Sequence, residues 1–534
     1  MNQEKKLMDK NNRQLTVRGL ITGILGLVVI TASSMYVALR LGALPWPTVF
    51  VTVLSMAVLG RFKDSTLQEI NVTHTIMSAG AMVAGGLAFT IPGIWMLNPE
   101  AEVNVLSLMI MAVCGALLGT LFSAIYRKTL IEKLKLVYPI GNAAYNTLKT
   151  GIKKGKDSLK LFAAMAFSTV FTAVRDVFGW IPSVLKIFGG TATINPIYMW
   201  VSPMALSIGS IIDSVSAFLW LGGCLFAYFI FIPVGLKTGL FTDYASADLV
   251  RQNLGLGLMI GTGVGVFIKT LLAFVKDKKK SGEKSGISKQ TVYLCAFVLA
   301  FAAVLMAVGT EMSLGQAVLA VAGVCIATLL SGILTGQSGV NPMEVFGILV
   351  LLLSQIVFSS SITVLFLTAG IVAVACGLSG DVMNDLKSGH ELNTDPKQQL
   401  IGEGIGGVIG AVISVVVLLV MRKSFGAFGT AELPAPQAAA VASMASGLGN
   451  SPAMYVGLLI GAIMVIFGFS GATLGLGIYL GPQISVTVGL GTIVTKLIKK
   501  FTKVTDNDVN LVSSGLLGGE GISGVVIAII QMLG

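Results

Sequence analysis

Uncharged, mostly apolar stretches of about 20 residues recur from one end of this chain to the other. Residues 19–39 form one such stretch, and 408–421 with its flanks form another. A run of this length lets a helix cross the hydrocarbon core of a bilayer, and in lipid only helices and closed barrels satisfy the backbone. Barrel strands would alternate polar and apolar residues over short segments. These runs do not alternate, so the expected fold class is all-α, a polytopic integral membrane bundle of helices.

Composition agrees. Charged residues make up 11% of the 534, against about 25% in soluble proteins. That is too little charge to keep the surface of so long a chain wet, so much of it must face lipid. The net charge of +11 is placed unevenly. Basic residues gather at Lys5, Lys6, Lys10 and Arg13, through 127–160, at 276–284 and at 496–503, and cytoplasmic loops are the ones that collect lysine and arginine. The N-terminus and the 276–284 segment are therefore expected inside, and the acidic turn at 99–102 outside. No soluble domain presents this charge, so no nucleic-acid partner is expected.

Five cysteines, Cys114, Cys224, Cys295, Cys325 and Cys376, lie singly in apolar runs. Without a paired spacing they offer neither a disulfide framework nor a zinc or redox motif. The first apolar run is too long for a signal-peptide core and reads as a retained helix.

Spans are expected near 15–41, 44–61, 70–97, 101–126, 158–180, 212–236, 252–275, 290–309, 313–335, 342–358, 359–377, 402–421, 452–469, 471–496 and 508–532. The stretches 136–150, 193–210 and 432–450 are shorter or interrupted by proline and could be re-entrant helices. Together they give about 14–18 passes by length. The most polar connections are 276–289 and 378–400. The first reads as a cytoplasmic linker between an N-terminal half, 1–275, and a C-terminal half, 290–534.

An internal repeat organises these spans. At a constant shift of 435, Gly26 meets Gly461, Gly42 meets Gly477, Pro47 meets Pro482, Ser78 meets Ser513 and Gly80 meets Gly515. Arg61 meets Lys496, which favours a repeat of the same orientation. A shorter glycine pattern begins at Gly80, Gly257, Gly332 and Gly515. Small residues four apart let two helix backbones approach closely, so these glycines are expected to be structural.

Several blocks resemble the oligopeptide transporter superfamily, which includes the yellow stripe-like metal-chelate carriers. They are Gln14-Leu15-Thr16-Val17-Arg18-Gly19, the segment 69–80 running on to Pro92, Tyr138-Pro139-Ile140-Gly141-Asn142, the segment 379–389, Leu433-Pro434-Ala435-Pro436-Gln437 and 514–520. They span nearly the whole chain in family order. His74 stands where glutamine would be expected, and Ile140 where an acidic residue is common. The resemblance implies a prokaryotic member that takes up short peptides or peptide-like metal chelates, coupled to a cation and usually to the proton.

Candidate residues follow from chemistry and from the resemblance together. Glu520 lies in an apolar terminal span, where a carboxylate is costly and faces a cavity or a partner. It is the first candidate for coupling and Glu69 the second. At the 435 shift the residue opposite Glu520 is Gly85. Asn71, His74, Ser78, Asn142, Tyr145, Gln437 and Ser514 are candidates to bind substrate, and the asparagines and glutamine offer amides that match peptide groups. Asp381, Asp385 and Lys387, in a loop or short helix, are candidates for a gate. Glu69 could equally be a helix N-terminal carboxylate, and Asp381 and Asp385 part of a solvated loop.

Other signals lead nowhere. The 402–407 glycine run lacks the strand–turn–helix context of a nucleotide loop, and no Walker lysine follows it. Two histidines far apart in sequence do not suggest a metal site, and one short acidic loop does not suggest a pyrophosphatase-like enzyme. The expected function is a secondary transporter, not an enzyme, importing short peptides with the proton as coupling ion and no cofactor. The alternative is import of metal chelates. The expected location is the cytoplasmic membrane, with lipid as partner and a homodimer left open.

Overall fold

A computed structural model describes residues 14–42, 44, 48–151, 156–190, 196–280, 289–338, 341–430, 432–447, 452–469 and 471–533. The chain forms α1 (Val17–Leu41), α2 (Thr48–Leu59), α3 (Leu67–Ala88), α4 (Pro92–Leu97), α5 (Val105–Arg127), α6 (Pro139–Gly151) and α7 (Lys156–Asp176). A short hairpin follows, β1 (Val184–Phe188) and β2 (Ile197–Trp200), then α8 (Pro203–Ile211), α9 (Ser214–Leu225), α10 (Ile232–Lys237), α11 (Tyr244–Lys280) and α12 (Lys289–Gly309). The remainder is α13 (Leu314–Ser338), α14 (Met343–Phe358), α15 (Ile362–Leu392), α16 (Pro396–Phe425), α17 (Pro436–Ala445), α18 (Pro452–Ile466), α19 (Gly471–Tyr479), α20 (Pro482–Phe501) and α21 (Asp506–Leu533).

The chain is thus a polytopic helical membrane protein. Among the described residues, 7 helices are long and apolar enough to cross a bilayer, and four shorter apolar helices accompany them. One short hairpin stands among the helices. β1 and β2 pair antiparallel, Val184 opposite Trp200, and β2 lies within the 193–210 stretch expected to hold a short apolar helix. β-branched and aromatic residues favour the extended backbone there.

Packing separates two compact units, neither of them a continuous half. The first comprises 1–158, 284–446 and 524–534, and the second 159–283 and 447–523. One boundary falls inside the 276–289 linker, and three more, at 158/159, 446/447 and 523/524, lie within the expected halves. The 435-residue repeat holds helix for helix. α1, α2 and α3 correspond to α18 with α19, to α20 and to α21, the first helix being interrupted in the second copy near Gly468, whose φ is +81°.

In the first unit α3 and α15 form the core. Every residue of α3 is buried, and so is nearly every residue of α15. A helix enclosed on all sides by other helices meets no lipid, so polar residues on it face only protein. In the second unit α11 packs along α18 and α19, and α8 along α20. A Cβ on Gly257 or Gly261 would strike the carbonyl of Met454 or Leu458, and one on Gly457 or Gly461 that of Leu254 or Leu258. Gly515 and Gly519 meet the Leu161 and Met165 carbonyls of α7 in the same way. Gly80 faces Thr31 and Leu27 of α1, and its own Cα lies 2.5 Å from where a Cβ of Gly410 would sit. Gly332 differs. Its nearest neighbour is the end of the Leu130 side chain at 3.1 Å, so no backbone presses on it.

Candidate functional site: buried carboxylates of the first unit

The segment 379–400, read from its polarity as a connection, is mostly helix. α15 continues to Leu392, Asn393 closes it in the left-handed region with φ 58°, and the Asp395 side chain caps α16 by accepting from the Lys397 amide. Asp381 and Asp385 are therefore residues of a buried helix and not of a solvated loop. Hydropathy cannot separate a polar residue facing water from one facing a polar partner on the next helix, and here the partners are many.

Asp385 lies seven residues before the end of α15, Glu403 seven after the start of α16, and His74 seven after the start of α3. At the helical rise each is about 10 Å from its helix end. Asp385 Oδ1 lies 3.1 Å from His74 Nε2, and Asp385 Oδ2 accepts a hydrogen bond from Ser78 Oγ at 2.8 Å. Asp381 Oδ1 accepts from Thr48 Oγ1, the first residue of α2, at 3.3 Å. One oxygen each from Asp381, Asp385 and Glu403 lies within 4.8 Å of the other two, and all three side chains are 0% exposed. Asp381 Oδ2, both Glu403 oxygens and His74 Nδ1 have no hydrogen-bond partner. A polar seam continues toward the α15–α16 turn, where Ser388 Oγ donates to Asn71 Oδ1 and Gln399 Nε2 to the Asp385 carbonyl.

Two short helices belong to the same unit, and α2 starts at the carboxylates. α2 is 12 residues long and α17 is 10, so each rises less than about 20 Å and falls short of the hydrocarbon thickness. Gln437 Nε2, in the first turn of α17, donates to the Gly42 carbonyl at 2.9 Å, and the Ala435 amide donates to the Leu39 carbonyl at 2.7 Å. The break after α1 and the start of α17 thus satisfy each other's backbone within the unit.

The other expected site residues fall elsewhere. Glu69 is held by Arg18, with Nε and Nη2 at 2.7 and 2.8 Å, and by the Thr16 hydroxyl, while its amide is capped by Thr66. The same Arg18 bonds Asp64 at 2.8 Å and holds that exposed carboxyl below the usual carboxylate range. Lys387 pairs with Glu391 at 2.8 Å. Asn142 bonds the Val137 carbonyl, and Tyr145 packs against the cluster of Leu59, Leu67 and Leu148. Neither touches the carboxylates. The Ser514 side chain lies outside the described residues.

Glu520 sits in the second unit as a clamp. Its Oε1 is 2.9 Å from Arg175 Nη1, and its Oε2 accepts from Ser202 Oγ at 2.9 Å and from the Met204 amide at 2.8 Å. Those donors open α8, so the carboxylate caps that helix while neutralising a buried guanidinium. Glu403 is the residue that sequence reasoning passed over. It lies in an apolar span between two glycines, as Glu520 does, and the argument that selected Glu520 would have selected it too.

Uncompensated acids inside membrane-crossing helices, beside a short helix that starts within the bundle, are features of membrane transporters that build a central site. The chain belongs to the OPT family, since the family model described as OPT oligopeptide transporter protein matches residues 14–531. It is a transporter and not an enzyme. A Haemophilus influenzae protein named "Putative oligopeptide transporter" is 24% identical over 93% of this chain and 92% of its own length. The Arabidopsis thaliana "Metal-nicotianamine transporter YSL2" is 27% identical over 29% of this chain and 28% of its own.

Proposed function

We propose that this protein imports short peptides across the cytoplasmic membrane by secondary active transport, with the proton as driving ion. The observation that supports the reading is the group of buried acids in the first unit, one of which, Asp381, accepts a hydrogen bond from Thr48 at the start of the short helix α2. Helix ends leave amide and carbonyl groups that can bond a peptide backbone. Acids without a basic partner call for a positive charge, which gives an ion-dependent step. The name of the Haemophilus relative favours peptides, and that of the Arabidopsis relative favours metal chelates as the second reading.

Purified protein in proteoliposomes, given an inside-alkaline pH gradient and labelled di- to hexapeptides, tests the proposal. Accumulation above equilibrium that a protonophore collapses is the expected result. Uptake that only equilibrates would mean a passive path. Accumulation of a metal–nicotianamine complex with none of any peptide would move the substrate to the second reading.

A further inference from the structure

The carboxylates of Asp381, Asp385 and Glu403 come from two helices and share one dry space. Among the described residues no lysine or arginine pairs with any of them, the nearest basic group being His74 against Asp385. Glu403 is the independent sign of a ligand. It is 0% exposed, approaches the two aspartates from the opposite helix, and has no partner for either oxygen. A buried polar side chain is normally satisfied, and an ionised one almost always is.

We infer that Asp381, Asp385 and Glu403 bind a divalent, oxygen-seeking cation of the size of Ca2+ or Mn2+. As ligands to a cation the three carboxylates would be ionised and carry three negative charges. A monovalent ion would leave two of them uncompensated, whereas a divalent ion leaves one beside the His74 ring. The spacing fits as well. Oxygens on opposite sides of a Ca2+ ion, each about 2.3–2.6 Å from it, lie roughly 5 Å apart, and the three oxygens here fall within 4.8 Å of one another. The donor set is oxygen only, without thiolate, which favours hard cations over zinc or copper. Asp381 Oδ2 and the two Glu403 oxygens are the unengaged ligand atoms. His74 and Ser78 hold the Asp385 carboxylate in place, as outer partners do for metal ligands.

The inference deepens the proposed function by placing a cation next to the transport core, but its test reads binding and not transport. Protein in detergent is titrated with Mn2+ while the spectrum of free Mn2+ is followed by electron paramagnetic resonance, and Ca2+ is then added in competition. The expected result is one saturable site per chain that Ca2+ empties. Glu403→Gln and Asp381→Asn should each weaken it by at least about tenfold, while Asp248→Asn, in the second unit and bonded to Arg251, leaves it unchanged. Where a variant fails to fold, the wild-type protein still decides. A hydrophobic carbodiimide should modify Glu403, read by mass spectrometry, and Ca2+ should protect it. Absence of saturable binding at millimolar Mn2+, Asp381→Asn and Glu403→Gln variants that bind like the wild type, or Glu403 labelling indifferent to Ca2+ would each overturn the site. Peptide uptake driven by protons in the same preparation would leave the proposed function standing.

Discussion

Arg175 Nη1 lies 2.9 Å from Glu520 Oε1, and both side chains are sealed from solvent. Removing one member of such a pair strands the other charge, which costs about 3–5 kcal/mol in buried pairs. Asp176 also bonds Arg175, with 2.6 Å contacts to Nε and Nη2, so Glu520→Gln should fall near the lower end of that range. Arg175→Met leaves the Glu520 carboxylate with only Ser202 and the Met204 amide, and should cost more. Thermal unfolding of the purified variants measures both. Because Arg175, Ser202 and the Met204 amide already engage the carboxylate, Glu520→Gln protein that stays folded should still accumulate substrate against its gradient, and loss of accumulation with unchanged stability would give Glu520 a coupling role.

The glycines of α11 and α18 make a second prediction. A side chain on Gly257 or Gly461 would push against a carbonyl of the facing helix, and backbone cannot move aside as a side-chain end can. Gly461→Leu should destabilise the protein by at least about 1–3 kcal/mol, the usual range for overpacking, and reduce the monodisperse yield. Gly404 has no atom within 4 Å of its added Cβ. Gly404→Ala should be neutral or slightly stabilising, since glycine is the poorer helix former by about 1 kcal/mol. Equal melting temperatures for the two variants would remove the close-packing role.

Topology gives a third. Glu100 and Lys397 are both exposed, and the distribution of basic residues places them on opposite sides of the membrane. In a cysteine-free background, a membrane-impermeant maleimide should label Glu100→Cys in intact cells and Lys397→Cys only after permeabilisation. The reverse pattern would invert the assignment.

Arg18 ties Glu69, which is 2% exposed, to the exposed Asp64. Arg18→Leu should destabilise by about 2 kcal/mol, between the values of surface and buried pairs, because Glu69 is left without its cation. Asp64 adds a pH signature. Its carboxyl titrates below the usual range when folded, so its contribution is present above the unfolded pKa of about 3.9 and is lost as pH falls through the lower folded value. Unfolding of the wild type followed down to that acid range should show the loss, and Arg18→Leu should lack it.

The sequence by itself determined that this chain lives in a membrane. Apolar runs such as 19–39 leave a helix no alternative there, because lipid offers the backbone no hydrogen bonds. It also determined the duplication behind α1–α3 and α18–α21, since glycines and prolines keep their spacing wherever backbones must touch or break. The family blocks carried the transporter class, and His74, Ser78, Asp381 and Asp385 were all among the candidates. Only the tertiary structure decided what they touch. Hydropathy counts a charge as a signal for water, so it put Asp381 and Asp385 in a polar connection, as a loop or short helix, while α3 and α5 bury them on a long helix. The same signal set Glu520 above Glu403. In the fold Glu520 has Arg175 and a helix N-terminus to neutralise it, and Glu403 has only two more carboxylates. Whether an acid is structural or free to take a ligand depends on the charge a few ångströms away, and residues hundreds of positions apart in the chain supply that charge.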